Sequence, residues 1–132
     1  MNLDDTVSDS GTGEVRLRFV KHKGQAIFLI DFSHCGSKEI LFLLEQVRSI
    51  IARHALGSML TLTDFTGAEV DKKVVTRIKE VATLDRPYVK RSAWVGTENL
   101  PRVFYENIKS FSQREFPSFK TREEAMEWLV AE

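Results

Sequence analysis

Cysteine is almost absent from this chain, with Cys35 as the single thiol among 132 residues. One thiol cannot form an internal disulfide, and no CxxC motif or cysteine–histidine pair with zinc-ligand spacing occurs. The sequence therefore excludes a disulfide-stapled fold and offers no zinc site. Because reduced thiols are typical of the cytoplasm, we expect a cytoplasmic protein.

An excess of charge of one sign and long apolar runs are also lacking. Lysine plus arginine number 19 and aspartate plus glutamate number 19, so no net field draws the chain to nucleic acid or to an acidic membrane. The most apolar segment, residues 40–51, is interrupted by charged residues such as Glu45 and Arg48, which excludes a bilayer span. We therefore expect neither a nucleic-acid partner nor a membrane span.

Motifs for metal, nucleotide or cofactor binding are missing as well. His22, His34 and His54 are scattered along the chain, and neither HExxH nor a glycine-rich phosphate loop occurs. Residues 1–13 are acidic and contain few bulky apolar side chains, so we expect a disordered tail and not a secretory signal. The remaining residues, 14–132, have the length of one domain.

Apolar periodicity predicts five strands. Alternation from Val15 to Phe19 is typical of an edge strand, whereas the unbroken apolar run AIFLIDF after Gly24 is typical of a strand covered on both faces. Three further strands are predicted at residues 59–63, 89–95 and 116–119, the last at a sheet edge because it contains Pro117.

Helical periodicity predicts four helices between and after these strands. They begin near Ser37, Asp71, Leu100 and Thr121, and Ser37, Asp71 and Thr121 suit an N-cap position. The residues Thr121–Glu124 have the pattern of a capping box, in which the Glu124 side chain bonds back to the Thr121 amide. The first helix is expected to end near His54. The resulting order, ββαβαβαβα, predicts an α/β sandwich with a mostly parallel five-stranded sheet and an antiparallel first strand.

The stretch TLTDFTGAEVDKK, residues 61–73, joins a predicted strand to a predicted helix. Such junctions form the rim at which open α/β sheets bind ligands. The candidate partner-binding residues are Asp64, Thr66, Gly67, Asp71, Lys72 and Lys73. Turn formation by Asp64, Thr66 and Gly67 and helix capping by Asp71 explain each residue singly. The rim as a region remains the best candidate for a binding surface.

The order of elements, together with GQAIFLIDF, MLTLTDFTG, AWVG and TREEAMEWL, resembles the STAS domain superfamily, in particular the bacterial SpoIIAA-like proteins. The resemblance extends over residues 15–130. It implies a non-enzymatic regulatory or protein-binding module, as in the anti-sigma factor antagonists. A related fold occurs in CRAL-TRIO domains, which implies an alternative function as a carrier of a small apolar ligand or lipid.

Phosphorylatable members of that family carry a D-x-S-G motif, with the switch serine, at the start of the second helix. Matching by motif puts Thr66 in the serine position as a phosphoacceptor, whereas matching by helix start puts Lys73 there. A phosphate gains from free amides and the positive dipole at a helix start, which favours the second match. We therefore expect that the serine switch is absent.

Three smaller features suggest a function, and plainer structural explanations exist beside it. Asp31, His34 and Cys35 lie close in sequence, but adjacency is poor support for a nucleophile, and a buried thiol is favoured. Basic residues from Lys72 to Arg91 fit either an acidic partner or a solvated helix face. Aromatic side chains at Phe42 and Tyr105 suggest a partner surface, and a homodimer is left open.

Overall fold

The computed structural model describes residues 16–132, apart from the side chain of Asn99. The predicted tail, residues 1–13, lies outside the described residues. The strands are β1 (Leu17–His22), β2 (Gln25–Asp31), β3 (Met59–Asp64), β4 (Val89–Val95) and β5 (Ser118–Phe119). The helices are α1 (Ser37–Ile51), α2 (Lys72–Asp85), α3 (Arg102–Ser112) and α4 (Arg122–Val130). Short 3₁₀ turns span Arg86–Tyr88 and Thr97–Asn99.

The five strands form one sheet in the order β1-β2-β3-β4-β5. β1 runs antiparallel to β2, and the other neighbouring strands are parallel, which confirms the predicted α/β fold. β5 pairs only through Trp94↔Ser118 and Val95↔Phe119, so most of the outer edge of β4 has no neighbouring strand among the described residues. Every residue of β3 is buried, as expected for the central strand of a sheet covered on both faces.

Two apolar layers cover the sheet. The larger layer packs α1, α2 and α3 against side chains such as Phe28, Ile30 and Trp94. The smaller layer packs α4 against the opposite face, where Leu62 and Ala93 are fully buried. Because adjacent strand residues point to opposite faces, the unbroken apolar run of β2 supplies both layers at once.

The N-caps predicted at Asp71 and Thr121 are confirmed, whereas the cap of α1, the start of α3 and one bond at the start of α4 differ from the predictions. The Asp71 carboxylate accepts a hydrogen bond from the Val74 amide at 2.9 Å, and the Thr121 hydroxyl accepts one from the Glu124 amide. At α1, however, Gly36 takes the N-cap position and Ser37 is the first helical residue. The expected return bond of Glu124 comes from the Lys120 amide instead of that of Thr121. The side-chain cap predicted at Ser37 is therefore not formed, and α3 begins at Arg102, two residues after the predicted Leu100.

Several boundaries and faces differ from expectation. α1 ends at Ile51, before His54, and β5 is limited to Ser118–Phe119 because Pro117 has no amide proton to donate to the ladder. On α3, Ile108 is buried, but Phe111 is 57% exposed although it follows the same apolar periodicity. α3 packs mainly against α2, near the edge of the sheet, so only part of its apolar stripe is covered. No helix among residues 16–132 is long and apolar enough to cross a membrane.

Candidate functional site

The carboxyl ends of β2 and β3 lie side by side at one edge of the sheet. Asp31 and Asp64 are the last residues of these strands and are direct partners in the parallel register. The pairing continues past them, since the Phe32 amide donates to the Asp64 carbonyl at 2.9 Å and the His34 amide donates to the Thr66 carbonyl at 2.7 Å. The two loops that leave the sheet are therefore fixed to each other.

Each of these loops begins with the same turn. In the first, the Asp31 Oδ1 atom accepts bonds from the Ser33 amide at 3.0 Å and the Ser33 hydroxyl at 2.6 Å. In the second, the Asp64 Oδ1 atom accepts bonds from the Thr66 amide at 2.9 Å and the Thr66 hydroxyl at 2.6 Å. The sequence signal was present in the two strings DFSH and DFTG. Their equivalence was missed because only the second was compared with a phosphorylation motif.

The fourth residue of both turns adopts left-handed backbone geometry. His34 has φ of 57°, and Gly67 has φ of 65°. Glycine is required at the second position because a Cβ atom there would collide with the His34 ring. Gly96, which follows β4, also has positive φ, and a Cβ atom there would collide with the backbone nitrogen and hydroxyl of Thr66. Three successive strand ends are thus in close contact.

Arg122, the first residue of α4, joins the two turns electrostatically. Its Nε atom lies 2.8 Å from Asp64 Oδ2, and its Nη2 atom lies 3.2 Å from Asp31 Oδ1. Burial alone would raise the pKa of Asp31, but the Ser33 hydrogen bonds and the charge of Arg122 outweigh it, and the net pKa is lowered. The Asp31 carboxylate is therefore held ionised by partners within the protein, and the Asp64 carboxylate is paired with the same arginine. Sequence reasoning missed this role of Arg122, which was considered only as part of a capping box.

Arg16 fixes the first loop from the other side. Its Nη1 atom donates to the carbonyls of Asp31 and Ser33 at 3.2 Å and 2.8 Å. Its Nε atom lies 3.7 Å from a carboxylate oxygen of Glu39, the acidic residue in the first turn of α1. The polar groups of the loop are thereby satisfied within the protein, and opening of the loop would break these hydrogen bonds.

Five of the six predicted site residues lie on the outer surface of this edge. Their side chains or backbone are exposed, and we call them the rim surface: Thr66, Gly67, Asp71, Lys72 and Lys73. The connecting backbone is tied down, because the Ala68 amide donates to the Phe65 carbonyl at 2.9 Å and the Glu69 amide to the Cys35 carbonyl at 3.0 Å. Asp64 differs from the other five, since it is 5% exposed and lies beneath the surface. It positions the loop that carries the rim surface.

The hypothetical nucleophile group near Cys35 is not brought together. Cys35 is fully buried, and burial raises the pKa of its thiol to about 11. The carboxylate of Asp31 is engaged by Ser33 and Arg122, and the His34 ring packs at Gly67. Within residues 16–132, no group of three histidine, cysteine, aspartate or glutamate side chains is placed to bind a metal ion.

The two aromatic residues proposed for a partner surface have different environments. Phe42 is 61% exposed on α1. Tyr105 is half-buried, with its hydroxyl donating to the Phe116 carbonyl at 2.7 Å and its ring 5.5 Å from that of Trp94. Tyr105 therefore helps to close the sheet edge, and Phe42 is the aromatic side chain of the pair that stays available.

Comparisons of this chain with protein-family profiles, with curated proteins and with solved structures found no match.

Proposed function

We propose that this chain is a STAS-like regulatory module that binds a protein partner through the rim surface, without a catalytic step of its own. The observation that carries the proposal is a set of exposed side chains on a backbone fixed by buried polar groups. The internal ion pairs of Asp31 and Asp64 with Arg122 hold that backbone in one conformation. A surface that is already ordered loses little conformational entropy on binding, which favours affinity.

The charge of the rim surface suggests which partner groups it attracts. Lys72 and Lys73 are exposed, and within the described part of the chain neither has a carboxylate at ion-pair distance. They stand at the start of α2, where the free amides and the helix dipole add positive potential. Carboxylates of a partner would be attracted to this end of the helix, whereas the nearby Asp71 is already occupied as an N-cap.

The environment of Thr66 supports a module without the serine switch. The Thr66 hydroxyl donates to the buried Asp64 carboxylate at 2.6 Å. A phosphate at that oxygen would bring nearly two further negative charges against Asp64, which would be repelled and would lose the hydrogen bond. Thr66 is also separated from Lys72, the first residue of α2, by the ordered segment 67–71. These contacts favour a structural turn over a phosphoacceptor.

The interior of the protein favours protein binding over the alternative function as a lipid or apolar-ligand carrier. The cavity between the sheet and α1 and α2 has a volume of about 60 Å³. Pockets that enclose drug-sized ligands have volumes of about 300 to 1,000 Å³. The buried Asp85 and the half-buried Arg114 also line this cavity, and contact with these polar side chains would be unfavourable for an acyl chain.

Affinity capture from the source cells tests the proposal. Wild-type protein, a Lys72→Glu/Lys73→Glu variant and a Lys21→Glu/Arg53→Glu control are immobilised in equal amounts. All four side chains are exposed, and the control makes the same charge change at the opposite end of the sheet. We expect a partner captured by wild type and by the control to be lost with the rim variant. Equal recovery on all three proteins would refute a role for the rim surface.

A further inference from the structure

A second polar surface lies at the opposite end of the sheet. The carboxyl-terminal ends of α2 and α4 approach the first half of β4, where β5 has not yet joined the sheet. Between them is an open groove of about 300 Å³. We call it the basic groove, and the side chains that matter for its chemistry are Arg86, Lys90, Arg91, Arg114, Glu115 and Trp128.

Arg91 is held rigidly on one wall of the basic groove. Its Nη1 atom donates to the carbonyls of Trp128 and Ala131 at 2.9 Å and 2.8 Å, at the end of α4. Its guanidinium lies 5.3 Å from the centre of the Trp128 ring, a cation–π contact. Arg91 thus binds carbonyl groups at the carboxyl-terminal end of α4, and its side chain is fixed in position without a ligand.

Arg114 is held on the other wall. Its Nη1 atom donates to the Ala82 carbonyl near the end of α2 at 3.0 Å, its Nη2 atom bonds the Ser92 hydroxyl, and its guanidinium stacks 4.8 Å from the Phe116 ring centre. Burial is the main cause that lowers the pKa of Arg114, to about 10; the charge of Asp85 opposes this change and the charge of Arg86 adds to it. Arg114 therefore stays cationic near neutral pH.

Arg86 and Lys90 add positive charge that the described residues do not neutralise. Both are exposed, and within residues 16–132 neither has a carboxylate at ion-pair distance. Glu115, the one acidic residue in the lining, is 82% exposed and lies 3.5 Å from Lys109. Some other cations of the chain are paired, for example Arg77 with Glu45 and Glu80. The basic groove is a local excess of positive charge on a chain with no net charge.

We propose that the basic groove binds the phosphoryl group of a ligand that carries at least two negative charges. A guanidinium group can donate two parallel hydrogen bonds to two oxygens of one phosphate, and the Lys90 ammonium supplies a further point charge. A multiply charged anion is favoured because it relieves the repulsion among several neighbouring cations. The site is separate from the rim surface, because Lys72 and Arg86 lie at opposite ends of α2, about 20 Å apart by helix rise.

The binding test uses the whole chain at fixed ionic strength, since salt screens such contacts. Equilibrium dialysis against radiolabelled pyrophosphate measures the free anion, and sedimentation with phosphatidylcholine vesicles, with and without a phosphoinositide, measures a lipid headgroup. Each assay compares wild type with Arg86→Gln/Lys90→Gln and with a Lys21→Gln/Arg53→Gln control. The substituted side chains are exposed, so all three proteins are expected to fold, which far-ultraviolet circular dichroism checks.

The expected result is saturable binding that weakens at least tenfold in the Arg86→Gln/Lys90→Gln variant and stays within twofold in the control. Binding of pyrophosphate alone would identify a free phosphorylated ligand as the natural class. Binding to phosphoinositide vesicles that pyrophosphate competes away would identify a lipid headgroup. The proposal is overturned if neither probe binds wild type, or if the groove variant binds as tightly as the control.

Discussion

The strongest physical prediction concerns Asp85, the last residue of α2. Its side chain is 3% exposed, and its Oδ1 atom accepts no hydrogen bond from the residues that the structure describes, although it lies 3.7 Å from Arg48 Nη1. Burial raises the pKa of this carboxyl from 3.8 to about 7, against the attraction of Arg48, Arg114 and Arg77. The charged form of Asp85 is therefore unfavourable in the folded protein.

The sign of the pH dependence follows from this raised pKa. Between about pH 4 and pH 7 the folded state keeps a proton on Asp85 that the unfolded state has released, so the free energy of unfolding falls as the pH rises. The pKa of Asp85 is higher in the folded than in the unfolded state by about three, which corresponds to about 4 kcal/mol of stabilisation. This stabilisation is lost in full only above pH 7. Below about pH 4 both states are protonated, and the stabilising effect is complete.

Substitution of Asp85 by asparagine removes the charge and keeps the size of the side chain. We expect Asp85→Asn to be at most about 1 kcal/mol less stable than wild type near pH 4 and about 3 kcal/mol more stable at pH 8, because burial of the amide costs about 1 kcal/mol at both pH values. Urea unfolding at both pH values measures the difference, and Glu106→Gln, at an exposed carboxylate on α3, is the control. A difference that does not change with pH, or a less stable variant at pH 8, would refute the reasoning.

Three further predictions concern residues near the carboxyl ends of β2, β3 and β4. Arg122→Gln leaves the buried Asp64 carboxylate without its ion pair and should lower the free energy of unfolding by about 2 kcal/mol. Adding Asp64→Asn should recover part of this loss, and urea unfolding of the single and double variants measures it. Fully additive effects of the two substitutions would contradict the expectation. Gly96→Ala should lower the free energy of unfolding by about 2 kcal/mol in the same assay, because a Cβ atom at this positive φ collides with Thr66. An unchanged urea midpoint would show that the Thr66 turn moves to accommodate the methyl group. Cys35 should react with iodoacetamide at pH 8 only after unfolding in urea, and rapid stoichiometric labelling of the native protein, followed by mass spectrometry, would be the contrary result.

The fold was predictable because its signals are local and repeat. The unbroken apolar run of β2 and the fully buried β3 both follow from strands covered on two faces, and the strand–helix alternation follows from parallel pairing. Asp71 was identified as an N-cap because that role depends only on the residues of one turn.

The features that could not be predicted from the sequence depend on contacts between distant segments of the chain. Arg122 reaches Asp31 and Asp64 only after the chain has crossed the sheet, and no local pattern indicates that contact. The basic groove likewise combines Arg91 with Arg114, which is remote in sequence. Phe111 fits the apolar periodicity of α3 but faces solvent, because periodicity describes one face of a helix and not how much of that face a neighbour covers.

Amide hydrogen exchange is the most direct test of the proposed binding module. The exchange of each segment is compared with and without a partner captured by wild type and purified. We expect new protection at residues 65–73, with α3 and the β1–β2 hairpin unchanged, and no such protection in the Lys72→Glu/Lys73→Glu variant at the same partner concentration. Protection on another face, with residues 65–73 exchanging as in the free protein, would contradict binding at the rim surface.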